Sequence, residues 1–106
     1  MFVAIVQIPM TKRPRDAAVA AARKSAPTYT ALRAKGLVRK YYLNGTAGGG
    51  GVYLWESEEA ARAWYTPEWE KRMEAAFGAR PTVTYYDNHV VVDNKTGKVH
   101  VDGQNI

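Results

Sequence analysis

Hydrophobic and polar positions along this chain switch between two periods, and the switches mark its elements. Phe2–Ile8 (FVAIVQI) is β-branched and almost unbroken, interrupted only by Gln7 and ended by Pro9. That pattern predicts a strand covered on both faces. From residue 15 to 35 the period becomes helical: Val19, Ala22, Ala26, Tyr29 and Leu32 form one stripe, Asp16 is placed to cap it, and Gly36 stands where a C′ glycine belongs. Pro27 inside this stretch predicts a kink or a split. Residues 37–43 (LVRKYYL) predict a second strand, Asn44–Gly51 (NGTAGGGG) a turn, and Val52–Glu56 (VYLWE) a returning third strand.

Ser57 then caps a helix opened by Glu58 and Glu59, whose charges suit the positive end of the helix dipole. A second helical start follows at Thr66-Pro67-Glu68, with Trp69, Met73, Ala76 and Phe77 as its apolar stripe and Gly78 as its stop. Residues 82–87 (TVTYYD) predict a fourth strand. The order β-α-β-β-α-β is that of a ferredoxin-like α+β fold, an antiparallel sheet with both helices on one face. Residues 1–88 make up this domain, and residues 89–106 a C-terminal β-hairpin extension of it.

The hairpin register follows from its loop. Four residues, Asn94–Gly97, set Asp93 opposite Lys98 and Val92 opposite Val99. Val90, Val92, Val99 and Val101 then share one face, and His89, Val91, Asp93, Lys98, His100 and Asp102 the other. A lone hairpin is marginal in water, so the valine face is expected to lie on the sheet or on a partner subunit.

Composition narrows the chemistry. A chain of 106 residues is enough for one domain, and its zero cysteines exclude disulfides, thiolate metal sites and thiol nucleophiles. Two histidines exclude a three-histidine zinc site. No apolar run nears the ~20 residues that span a bilayer, and residues 2–8 are too short for a signal-peptide core. A soluble, cytoplasmic protein without membrane association is the expectation. The net charge of +5 is unevenly spread: residues 1–40 carry nine basic groups against Asp16 alone, whereas residues 41–77 carry six Glu against Arg62, Lys71 and Arg72. The basic first helix is thus expected beside an acidic second one, Arg23, Lys24 and Arg33 facing the glutamates, rather than as a nucleic-acid footprint.

Each candidate site has a plain alternative. The four glycines lead into a strand and no Lys-Ser/Thr follows, so a flexible hairpin turn, with a bulge or a close backbone approach, fits better than a phosphate cradle. The same β-α-β-β-α-β order also describes RNA-recognition motifs, but the two stacking positions of their third strand fall here on Gly50 and Val52. No nucleic-acid partner is therefore expected. Seven Tyr and three Trp against two Phe are the informative excess. Tyr41, Tyr53, Trp55, Trp64, Tyr65 and Trp69 form either an aromatic core and dimer interface or the wall of a substrate pocket with convergent donors. Strand alternation sends Arg39 and Lys40 to opposite faces, and whichever points under the helices either holds an anionic or enolate oxygen or snorkels outward to solvent. His89, facing Asp102 with His100 diagonal to it, is a candidate base or simply part of a solvated hairpin face.

Three segments together carry a recognisable pattern: GLVRKYYL (Gly36–Leu43), GGVYLWESEEAARAWYTPEW (Gly50–Trp69) and TYYDNHVVVDN (Thr84–Asn94). Over nearly all of residues 2–94 the chain resembles the YdhR-like monooxygenase family, within the dimeric α+β barrel superfamily that includes the antibiotic-biosynthesis monooxygenases. The resemblance implies a homodimer whose two sheets meet as a barrel, and a pocket between sheet and helices in each subunit. It further implies oxidation of a small aromatic or polyketide-like compound by O2 without flavin, haem or metal. On this reading Arg39 stabilises the substrate anion and His89 is its base. Trp55, Trp64, Tyr65 and Trp69 shape the pocket, and Tyr41 or Tyr53 forms a hydrogen-bonding wall. The alternative is a non-catalytic module of the same fold that binds a small apolar ligand or merely dimerises.

Overall fold

The computed structural model describes residues 1–106 as an α+β fold with antiparallel sheets and three α-helices. Strands β1 (Phe2–Ile8), β2 (Leu37–Gly45), β3 (Gly48–Trp55) and β4 (Thr82–Asp87) form one sheet in the order β2-β3-β1-β4, consistent with a ferredoxin-like arrangement. Helix α1 (Arg15–Ala31) continues as a 3₁₀ turn at Leu32–Lys35 before Gly36 closes it in the left-handed conformation. Helices α2 (Glu58–Trp64) and α3 (Pro67–Phe77) begin at the expected caps: Ser57 Oγ accepts from the Ala60 amide and Thr66 Oγ1 from the Trp69 amide. Gly78, at φ 72°, ends α3 as expected.

The core lies between sheet and helices. Phe2, Ala4, Val6 and Ile8 of β1 and Tyr53 and Trp55 of β3 are buried under Leu32, Ala61 and Trp69. Removing this apolar surface from water is the main stabilising term of the fold. The opposite face of the sheet carries Val3, Ile5, Val52 and Leu54, only half-buried, flanked by exposed Tyr41 and Tyr86. No helix covers it.

Several local expectations are corrected. The turn between β2 and β3 is two residues, Thr46 and Ala47, and the four glycines belong to β3 rather than to a flexible loop. They are needed there because a side chain at Gly50, whose φ is +129°, would strike the Val6 carbonyl of the neighbouring strand. Helix α1 passes through Pro27 without interruption, while the Ser25 and Thr30 hydroxyls on either side donate to the carbonyls of Ala22 and Ala26. Asp16 does not cap that helix; Pro14 occupies the cap position and makes no side-chain bond there, while Asp16 pairs with Arg15. The ion pairs join Arg15 to Asp16, Arg62 to Glu58, Arg80 to Glu70 and His89 to Asp102, so none links the basic α1 to α2 or α3.

The C-terminal segment keeps its expected register, with Val90 opposite Val101, Val92 opposite Val99 and Asp93 opposite Lys98. Strands β5 (Val90–Asp93) and β6 (Lys98–Val101) are joined by a short β7 (Gln104–Asn105) in a separate three-stranded sheet. The domain's own sheet does not cover the valine face, since Val90 and Val92 are 54% and 65% exposed. The radius of gyration, 14.6 Å, exceeds the about 13 Å of a compact chain of this length, as expected of a domain carrying an arm. No helix is long and apolar enough to cross a membrane.

Candidate functional site

A cavity of about 370 Å³ lies between α1, α3 and the helix-facing side of the sheet. Its existence follows from side-chain size. The residues that α1 turns toward it are Ala18, Ala21, Ala22, Ser25 and Tyr29, mostly small, and none of the helix is fully buried. The stripe read from the sequence was rotated slightly, since it included Val19, which is exposed. Opposite, β3 contributes Gly49 and Gly50, and Val6, Ile8, Trp69, Met73 and Phe77 supply apolar wall. The segment after β1 is fastened over one end by Asn44, which accepts from the Arg13 amide and donates to the Arg13 carbonyl.

The polar groups gather on one side. Lys40 of β2 places its Nζ 3.3 Å from the centre of the Tyr29 ring, 3.9 Å from that of Tyr42 and 4.8 Å from that of Tyr53. Tyr42 OH and Ser25 Oγ are hydrogen-bonded at 2.8 Å, joining the edge strand to α1. Lys40 has no acidic partner, and burial pulls its amine down from 10.5 to about 7. Burial also pushes the Tyr29 and Tyr53 hydroxyls upward, so both stay neutral donors. A primary amine near its titration point at neutral pH, beside neutral phenols in an apolar cavity, can take up a proton or hold an anion.

A β-bulge determines which basic residue gets there. Leu37 pairs with Trp55 and Arg39 with Leu54, leaving Val38 as the extra residue on β2. Regular alternation from the buried Leu37 would send Arg39 and Tyr41 under the helices; the bulge inverts the strand and sends Lys40 and Tyr42 instead. Arg39 therefore lies exposed on the outer face, where its Nη1 donates to Tyr41 OH at 3.2 Å. Neither borders the cavity.

The remaining sequence candidates divide. Tyr53 and Trp69 line the cavity. Trp55 is fully buried in the core and donates from Nε1 to Tyr65 OH at 3.1 Å. Tyr65 packs edge-on to Tyr53, Trp55 and Trp69, so it buttresses the wall from behind. Trp64 borders a different cleft, with Leu32, Trp55 and Arg72. The indole N–H groups of Trp64 and Trp69 are buried without a hydrogen-bond acceptor. His89 is exposed on the arm, its Nδ1 3.1 Å from Asp102 Oδ1, away from the cavity lining. No three His, Asp or Glu side chains converge as a metal-holding group.

Strand alternation alone leaves Arg39 and Lys40 both open, the reading by resemblance settles on Arg39, and Tyr29 is placed only on the apolar stripe of the first helix. The available signal was Ala18, Ala22, Ser25 and Tyr29, a row of small residues ending in a hydroxyl-bearing ring at helical spacing. No protein-family model matches this chain, and no curated protein matches its sequence.

Proposed function

We propose that the chain is a cofactor-independent monooxygenase of the YdhR-like kind, a homodimeric α+β barrel that oxidises a small aromatic or polyketide-like compound in the cavity beneath α1 and α3. The observation that carries this reading is Lys40, an amine without an acidic partner on the polar side of an otherwise apolar cavity of about 370 Å³. That volume falls in the range of small-molecule sites. The uncovered outer face of the sheet, with Tyr41 and Tyr86 more than half exposed, supports pairing with a second sheet.

In this reaction the neutral Lys40 amine takes the proton of an acidic C–H or O–H group and remains beside the resulting anion as an ammonium. Tyr29 and Tyr53 hydroxyls stay protonated and stabilise the developing oxygen charge. The electron-rich anion then reduces O2. For an anthrone, the methylene becomes a carbonyl; one oxygen atom enters the product, the other leaves as water, and the substrate supplies all four electrons. The apolar walls keep competing water from the reacting carbon.

Oxygen uptake with a panel of phenols and anthrones tests the reading. Turnover that withstands chelators and falls at least ten-fold in Lys40→Met supports it. Thermal stabilisation by the same compounds without oxygen uptake supports the alternative, a ligand-binding module.

A further inference from the structure

Lys40 is a primary amine on the wall of an apolar cavity, and its environment lacks the group that usually keeps a lysine unreactive. The one carboxylate bordering either space beside it, Glu56, lies along the cleft on the other side and makes no ion pair with it. Three tyrosine ring faces surround its Nζ and displace much of the water around it. The absent side chain at Gly51 leaves the lysine stem its room, since a Cβ there would come within 3.0 Å of both Lys40 Cε and the Tyr53 ring. A desolvated, unpaired amine is a nucleophile, whereas a solvated ammonium is not.

We propose that Lys40 forms an imine with a small aromatic aldehyde or ketone held in this cavity. The Nζ lone pair adds to the carbonyl carbon, giving a carbinolamine. Loss of water then leaves the C=N bond: the carbonyl oxygen departs with the two amine hydrogens, and no oxidant or reductant takes part. The hydrogen-bonded hydroxyls of Ser25 and Tyr42 line the same cavity and can deliver the proton to the departing oxygen. Val6, Ile8, Trp69 and Phe77 give the aromatic ring an apolar seat and slow hydrolysis of the product. The inference shares the cavity of the proposed oxygenase but needs neither oxygen nor a dimer.

The test is reductive trapping of the full chain with benzaldehyde and cyanoborohydride at pH 7 under nitrogen, read by intact mass and peptide mapping. Of the seven lysines, Lys40 is expected to gain the benzyl adduct at least ten-fold faster than any other. Benzyl alcohol, which matches benzaldehyde in size and shape but has no carbonyl, should slow that labelling and leave surface lysines unchanged. Lys40→Arg, folded by circular dichroism, should lose the fast adduct. Labelling spread over exposed lysines with Lys40 no faster overturns the proposal, as does an undiminished fast adduct in Lys40→Arg. The wild-type mapping decides alone should that variant fail to fold. Because the reaction is run without oxygen, a chain that labels at Lys40 yet consumes no oxygen keeps the imine and loses the oxygenase; the converse result separates them equally.

Discussion

Lys40 Nζ and the face of Tyr29, 3.3 Å from ring centre, join an edge strand to the first helix through a cation on an aromatic surface instead of an ion pair. Ring faces favour the ammonium form, while burial without a carboxylate opposes it, and burial prevails. The arrangement costs the fold something that a methionine at the same position would not. Such a cost, sited on a cavity wall, is what a functional group looks like in energetic terms.

The cost is visible in pH. Lys40 titrates near 10.5 unfolded and about 7 folded, so between these values the unfolded chain binds more protons. Stability therefore rises as pH increases from about 7 to 10.5, and Lys40 contributes no slope below or above that window. The groups around it are Tyr29 from α1, Tyr42 from β2, Tyr53 from β3, Arg13 in the cavity, and Arg33, Arg39 and Glu56 along the adjoining cleft. Lys40→Met should be more stable than the wild type at pH 7 by about 1–2 kcal/mol, after allowing for the amine's partial exposure. The difference should shrink toward pH 10. Urea denaturation at pH 6, 7, 8.5 and 10 measures it, and equal slopes for the two proteins would count against a buried amine.

Gly50 should not tolerate even a methyl group. Its φ of +129° is outside what L-residues readily adopt, and a Cβ would collide with the Val6 carbonyl in the centre of the sheet. Gly50→Ala is expected to lose more than about 2 kcal/mol, whereas Gly97→Ala in the arm's turn, with open space around it, should lose less. Thermal melting of the two variants side by side checks the ranking.

The sequence made the frame readable because its punctuation is chemical. Ser57, Thr66-Pro67 and Gly78 mark helix ends by hydrogen bonding and backbone geometry, and the Asn94–Gly97 loop determines the arm's pairing. The site was harder to read because it depends on one uncoded event, the bulge at Val38. Nothing in LVRKYYL marks the extra residue, and a shift of one exchanges Arg39 and Tyr41 for Lys40 and Tyr42 at the cavity. The glycine run was half legible: the close backbone approach it allows was expected, but local turn propensity placed all four glycines in the turn and not in β3.

Tyr65 supports the cavity wall with both its ring and its hydroxyl. It accepts from Trp55 Nε1 at 3.1 Å, and Trp55 has no exposure to solvent that could replace the bond. Tyr65→Phe keeps the ring packing against Trp69 but strands the indole N–H, so a loss of about 1–3 kcal/mol is expected. Tyr86→Phe, on an exposed ring, should change stability by less than about 0.5 kcal/mol. Equal effects in chemical denaturation would mean that the Trp55–Tyr65 bond contributes nothing particular.

The outer face of the sheet makes the oligomeric part of the proposal testable without disturbing the cavity. Tyr41 on β2 and Tyr86 on β4 stand at its two edges, 54% and 53% exposed, with half-buried Ile5 and Val52 between them. If two such faces meet, a carboxylate at position 86 is desolvated without a partner in the dimer, and one at position 41, although Arg39 stands beside it, must also be stripped of water, while both remain hydrated in the monomer. Tyr41→Glu and Tyr86→Glu should each raise the dimer dissociation constant at least ten-fold, with far-ultraviolet circular dichroism unchanged. The valine face of the arm is also uncovered, so Val90→Lys should weaken the same association if the arm reaches across to the other subunit, and leave it intact if the sheets alone make the contact. Sedimentation equilibrium at micromolar concentration reads all three. A wild-type chain that sediments as a monomer there removes the barrel while leaving the Lys40 cavity, which lies on the other side of the sheet, untouched.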